Sequence, residues 1–130
     1  MSASDAPVQT TIIDFTLSRL ESAPDSTVFT ALSDEELFTG EGDSQFDVYR
    51  QMRAATASVW ESYRPGTNVI WLAYLVRKLL HEKQLKKAPA KGAEAFAFET
   101  LVKADELLSE RKEPGCDSTT AFVAAMRSAI

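Results

Sequence analysis

Cysteine and histidine are almost absent from this chain. Cys116 and His81 are the single representatives of each in 130 residues. One cysteine excludes an internal disulfide and a cysteine-rich metal site, and is compatible with a reducing compartment. His81, with no second histidine or cysteine near it in sequence, reads as a partly exposed helix-end residue and not as a ligand. Long apolar runs are missing too: none reaches the ~18 residues that a membrane span needs. Residues 1–7, Met-Ser-Ala-Ser-Asp-Ala-Pro, lack the basic and apolar regions of a signal peptide and read as a disordered start. Gly40 and Gly42 have no third glycine after them, so they do not form a nucleotide-binding glycine fingerprint. The formal charge of −5 excludes direct nucleic-acid binding through bulk electrostatics.

What remains is ordinary globular material. Hydrophobic residues make up 45% and charged residues 25%, enough for one core in one domain over residues 8–130. The placement of charge says more than its total. Between Asp34 and Asp47 stand six acids and no base: Asp34, Glu35, Glu36, Glu41, Asp43 and Asp47. Between Arg77 and Lys91 stand six bases against Glu82 alone. Charge runs of this kind are commonly solvated faces.

Taken in order, Val8 to Ile13 is short and rich in β-branched residues, which predicts a strand ending at Asp14. Glu21 to Ser26 reads as a turn around Pro24 and Asp25. Thr27 to Leu32 reads as a second strand able to pair with the first. Ser33 and Glu36 have capping-box spacing ahead of a short helical turn with Leu37 and Phe38. Gly40 and Gly42 suggest a loop with positive φ. A helix is predicted from Ser44 to about Trp60, closed before Pro65. Asn68 is expected to cap the next helix, from Val69 to about Glu82, whose first half is apolar on every face and therefore largely buried. Lys86 to Gly92 reads as a basic linker. Two further helices follow, Ala93 to about Glu110 and one capped by Asp117 or Ser118, with Phe98, Leu101, Leu107, Leu108, Phe122 and Met126 as core. The fold class expected is mostly α with a short β-strand pair at the N-terminus.

Two features carry the chemistry. Asp14-Phe15-Thr16 closes the first predicted strand, and Asp47-Val48-Tyr49 opens a helix about thirty residues on. Protein kinases place an Asp-Phe-Gly at a strand end, its Asp on magnesium, and open a large central helix after the activation segment. Ile12-Ile13-Asp14-Phe15-Thr16-Leu17-Ser18-Arg19 resembles the haspin branch, which carries Asp-Tyr-Thr or Asp-Phe-Thr at this place. Residues Asp34 to Asp43, Gln45 to Arg50, and Asn68-Val69-Ile70-Trp71-Leu72 follow the same pattern, so the resemblance runs in order from about residue 8 to residue 83.

The resemblance implies part of a protein-kinase C-lobe from a haspin-type serine/threonine kinase, a nuclear, chromosome-associated enzyme. Such an enzyme transfers phosphate from ATP to a histone-tail threonine in mitosis. It implies that Asp14 binds the magnesium on the ATP phosphates, that Phe15 packs beneath it, and that Thr16 replaces the glycine of other kinases. Asp47 is expected to tie the central helix to the catalytic loop. Asp34, Glu36 and Asp43 are expected to receive the basic histone tail, with Glu36 standing where relatives carry Asp. The sequence has no glycine-rich loop, no strand lysine with a helix glutamate, and no His-Arg-Asp loop. The chain is therefore expected to be a truncated product or a piece of a longer kinase, inactive alone and without tight ATP binding. The alternative is a non-catalytic helical module that holds basic peptides on its acidic segment.

Overall fold

The computed structural model describes residues 9–82, 92–109 and 117–129. The expected strand pair forms, but from different residues. Strand β1 is Leu20–Ala23 and strand β2 is Ser26–Val28, antiparallel, with Leu20 opposite Val28 and Glu21 opposite Thr27. Residues 9–13 adopt no strand, which corrects the assignment of Val8 to Ile13; Val8 and the start of the chain lie outside the described residues. Ile12 and Ile13 are exposed and have no ladder partner, and β-propensity alone does not hold a strand. The Pro24-Asp25 turn instead closes a hairpin on its own flanks, so most of the stretch read as turn becomes β1 and the second strand shortens to β2.

Helix α1, Glu36–Thr39, leads to α2, Gln45–Thr56. The helix stops earlier than the predicted Trp60. Ala57 and Ser58 both take left-handed backbone, φ 49° and 62°, and the Ala57 N–H returns to Ala54 and Arg53 carbonyls. Helix α3 is Gly66–Arg77. Pro65, expected only to end what precedes it, starts this helix: its φ of −60° is already helical. Asn68, expected as the cap, therefore lies inside the first turn. Beyond Arg77 the chain widens into a π-helical turn, Lys78–Glu82. Helices α4, Ala93–Ser109, and α5, Thr119–Ala129, complete the described chain. Ser118 caps α5 as expected, its Oγ accepting the Ala121 N–H at 3.1 Å. The basic linker lies, but for Gly92, outside the described residues. Among the described residues no helix is long and apolar enough to cross a membrane.

The core is where α3, α4 and α5 meet. Val69, Ala73 and Val76, spaced four and three residues apart, turn one face of α3 onto Ala104 and Leu108 of α4 and onto Phe122 and Met126 of α5. The opposite face is less covered: Leu75 is half exposed, so α3 is buried on fewer sides than its composition suggests. A second patch joins α1 to α2 and the segment after it, with Phe38 buried against Trp60, ring centroids 6.5 Å apart; Val48 of α2 is buried too. Each buried apolar side chain contributes roughly 1.5–3 kcal/mol.

The three-helix core predicts the cost of emptying it. Leu108 is 3% exposed and sits on the α3–α4–α5 seam. Leu108→Ala is expected to cost about 2–5 kcal/mol, read as a lower urea midpoint at unchanged slope by far-ultraviolet circular dichroism. Leu75→Ala, on the open face, is expected to change the midpoint much less.

Candidate functional site

The acidic segment is built around α1, and α1 is only four residues long. So short a helix does not persist on its own in water. Its N-terminus is closed by Asp34, whose Oδ1 accepts the Glu36 N–H at 3.0 Å, while Glu35 at the cap position makes no side-chain cap bond. The Ser33–Glu36 capping box is thus replaced by an Asp34 turn: an aspartate two residues ahead reaches the same backbone donor. The Thr39 hydroxyl donates to the Glu35 carbonyl at 3.0 Å.

Helix α2 supplies the rest. Arg50 Nη1 donates to the carbonyls of Phe38 and Gly40 at 2.9 and 3.1 Å, and its Nη2 to Asp47 Oδ1 at 2.7 Å. One guanidinium therefore satisfies two carbonyls at the end of α1 and takes its orientation from Asp47. Arg53, one turn on, lies 3.9 Å from the Phe38 ring centre and 3.5 Å from Glu35 Oε2. The Phe46 ring occupies the space that a Cβ on Gly40 would need. Gly42 takes φ 92°, the positive φ expected of the pair, whereas Gly40 is extended and is needed for the close approach.

Asp43 starts α2. Its Oδ1 accepts the Gln45 N–H at 2.8 Å, its Oδ2 lies 3.2 Å from Lys78 Nζ, and the Tyr74 hydroxyl stands at 3.5 Å. The Gln45 amide first, and Lys78 next, hold its carboxyl below the usual value of 3.8. With the folded pKa depressed, what this carboxylate adds to stability is present above the unfolded pKa and is lost as pH falls through the lower one. Lys78 is pushed upward, by Glu82 at 2.6 Å before Asp43. Asp34, Glu36 and Glu41 are exposed, and no basic side chain pairs with them among the described residues.

Asp14 lies in the irregular segment before β1, exposed and at φ 62°. Its Oδ1 accepts from the Thr16 hydroxyl and from the Thr16 N–H at 3.3 Å, and these bonds, the hydroxyl's first, lower its pKa. Thr16 is held from its other side by the Thr30 hydroxyl at 2.9 Å. The left-handed residue is Asp14, not Thr16. Phe15 is 67% exposed and lines a broad open concavity of about 1340 Å³ with Leu17, Leu20 and Tyr63. The Asp47 side chain, 61% exposed, faces Arg50 and solvent. Magnesium takes oxygen ligands, commonly one or two carboxylates beside substrate phosphates. Asp14 fits one such ligand, with Oδ2 free of any bond among the described residues; there, no three acids, histidines or cysteines stand close enough to hold a metal by themselves.

Sequence reasoning passed over Arg50, Arg53 and Lys78. Arg50 and Arg53 lie on α2 and Lys78 just beyond α3, and helical spacing does not show which partner each of them meets. His81 is exposed as expected, 3.7 Å from Asp105.

A family model described as "Haspin like kinase domain" matches residues 4–121. The chain belongs to the haspin-like kinase family. It is 49% identical over 80 residues to the serine/threonine-protein kinase haspin of Mus musculus, covering 61% of this chain and 10% of that protein. It is 43% identical over 81 residues to the serine/threonine-protein kinase haspin homolog hrk1 of Schizosaccharomyces pombe, covering 62% of this chain and 17% of the relative. It is 47% identical over 85 residues to the serine/threonine-protein kinase haspin homolog of Drosophila melanogaster, covering 65% and 15%. The chain thus spans between a tenth and a sixth of the length of these relatives. The haspin kinase domain has a protein-kinase-like fold, and the helices with one strand pair seen here are part of its C-lobe.

Arg50 is the side chain on which the haspin segment's geometry turns. Arg50→Ala is expected to lower stability by about 1–3 kcal/mol and to speed amide exchange at Phe38, Thr39 and Gly40. Arg50→Lys, unable to fork, is expected to recover less than half of the loss. Asp47→Ala, which removes only an exposed brace, is expected to cost less than about 1 kcal/mol.

Proposed function

We propose that this chain supplies the acidic, substrate-receiving segment and one magnesium ligand of a haspin-type serine/threonine kinase. The substrate on this reading is a threonine of a histone tail, phosphorylated from ATP in mitosis, at chromosomes in the nucleus. The observation that supports it is the docked α1 platform: Arg50 fixes its backbone and Arg53 covers its Phe38 ring, while Asp34 and Glu36 stay exposed with no basic partner among the described residues. A basic tail with its free amine and arginine has the complementary charge, and arginine can take a carboxylate through two parallel bonds. Asp43 joins them once its own lysine is displaced. Magnesium, when bound with ATP, supplies charge neutralisation on the phosphates. Asp14 would give it one carboxylate, held in orientation by Thr16. Phosphoryl transfer also requires a phosphate-covering loop, a strand lysine and a catalytic base, none of which this sequence contains. The chain alone is therefore a binding element and not a catalyst. The alternative, a module that only holds basic peptides, shares the acidic platform and lacks the role for Asp14.

The purified chain is expected to transfer no phosphate from ATP to a histone-tail peptide. Turnover that persists through purification and disappears in Asp14→Asn would overturn this. The same peptide is expected to bind weakly, and more weakly as salt is added. An Asp34→Asn, Glu36→Gln, Asp43→Asn variant is expected to lose about tenfold in affinity, from three exposed pairs at roughly 0.2–1 kcal/mol each. Equal affinity of the two proteins at low salt would leave the acids as a solvated face.

A further inference from the structure

Helix α2 is tied to α3 by a bond to sulfur. The Trp71 indole Nε1–H donates to Met52 Sδ at 3.1 Å. Trp71 also meets Tyr49 of α2 and Tyr74 of its own helix edge to face, with ring centres 5.5 and 5.7 Å away. The Tyr74 hydroxyl stands 3.5 Å from Asp43 Oδ1, so one chain of contacts runs from the sulfur to the start of α2. Met52 and Trp71 are both half-buried, and both line the open concavity of about 1340 Å³. A small polar reagent in water therefore has a path to this sulfur. The other methionine among the described residues, Met126, is 8% exposed and lies in the three-helix core.

We propose that Met52 is a reversible oxidation site at which hydrogen peroxide loosens the hold of α2 on Trp71. One oxygen passes from the peroxide to Sδ: the O–O bond breaks, an S–O bond forms, and the rest of the peroxide leaves as water. The sulfur loses two electrons and the peroxide gains them. The product is methionine sulfoxide, polar where the thioether was apolar. The 3.1 Å between Nε1 and Sδ has no room for a further atom, since an N–H···O bond by itself spans about 2.9 Å. The oxygen must take another side of the sulfur, which then carries partial positive charge and no longer accepts from the indole. The N–H is left without its acceptor unless the Met52 side chain turns to offer it the oxygen. Both outcomes shift the Trp71 ring against Tyr49 and Tyr74. Reduction by a thiol-dependent sulfoxide reductase returns the sulfide: the oxygen leaves as water and two thiols become a disulfide.

The test treats the purified chain with hydrogen peroxide and follows each methionine by peptide mass spectrometry. The Trp71 indole N–H is followed by proton–nitrogen NMR, its resonance assigned from a Trp71→Phe spectrum. Met52→Leu keeps Met1, Met126 and Cys116, every other sulfur of the chain, and serves as the unreactive control. Met52 is expected to oxidise ahead of Met126. The Trp71 resonance is expected to move in step with Met52 sulfoxide, and the melting temperature to fall by about 2–6 °C. Methionine sulfoxide reductases A and B with a dithiol are expected to restore both. Met52→Leu is expected to show neither change under the same peroxide. Oxidation of Met126 before Met52 overturns the inference. So does complete Met52 sulfoxide with an unmoved Trp71 resonance, or an equal melting loss in Met52→Leu. Should Met52→Leu fail to fold, the wild type alone decides: a Trp71 shift whose time course follows Met126 sulfoxide and not Met52 sulfoxide overturns it.

Discussion

A guanidinium on two carbonyls carries the acidic half of the molecule. Phe38 and Gly40 end a helix too short to stand alone, and their carbonyls find no further turn to accept from. Arg50 provides the donors from α2. Everything that gives the segment shape follows from that contact: Phe38 stays under Trp60 and Arg53, Gly40 stays against Phe46, and the acids before and after α1 are presented from a fixed backbone. Repelling carboxylates on a loose loop would spread apart. Here positive groups lie underneath, on α2 and at the end of α3, and the exposed layer is acidic.

This layering separates two kinds of acid that the sequence presents as one run. Glu35, Asp43 and Asp47 face arginine or lysine. Asp34, Glu36 and Glu41 face solvent. The first set holds the scaffold and the second is free for a ligand, so the field outside the molecule comes from fewer charges than a count along the chain suggests. Asp43 is paired with Lys78 and still keeps 44% of its side chain exposed, so it stands between the two sets.

The helices were legible because periodicity reports burial directly. Leu108, Phe122 and Met126 were marked as core from spacing alone, and they meet in space. The motif Asp14-Phe15-Thr16 and the acidic run were legible as family features. What failed was local competition. Ile12 and Ile13 have strand composition, but a strand is a property of two segments, and the turn at Pro24-Asp25 closed a different pair first. Ser33 and Glu36 have the capping spacing, but Asp34 is nearer to the same donor. Arg50 and Lys78 were invisible as site residues because a helix face does not name what it will touch. The tie between Lys78 and Asp43 spans 35 positions in sequence, and no local pattern encodes such a contact.

The turn that closes α2 has a different significance. Ala57 and Ser58 occupy left-handed backbone in succession, and neither is a glycine. Side chains in that region cost roughly 1–2 kcal/mol per residue. The connection between α2 and α3 is therefore a loaded joint, kept bent by the anchoring of the helices on either side and relaxing when either anchor slips. Arg53 in the last turn of α2 and Trp60 just beyond the joint both hold the Phe38 ring, so the bend and the shape of the acidic segment are tied to each other.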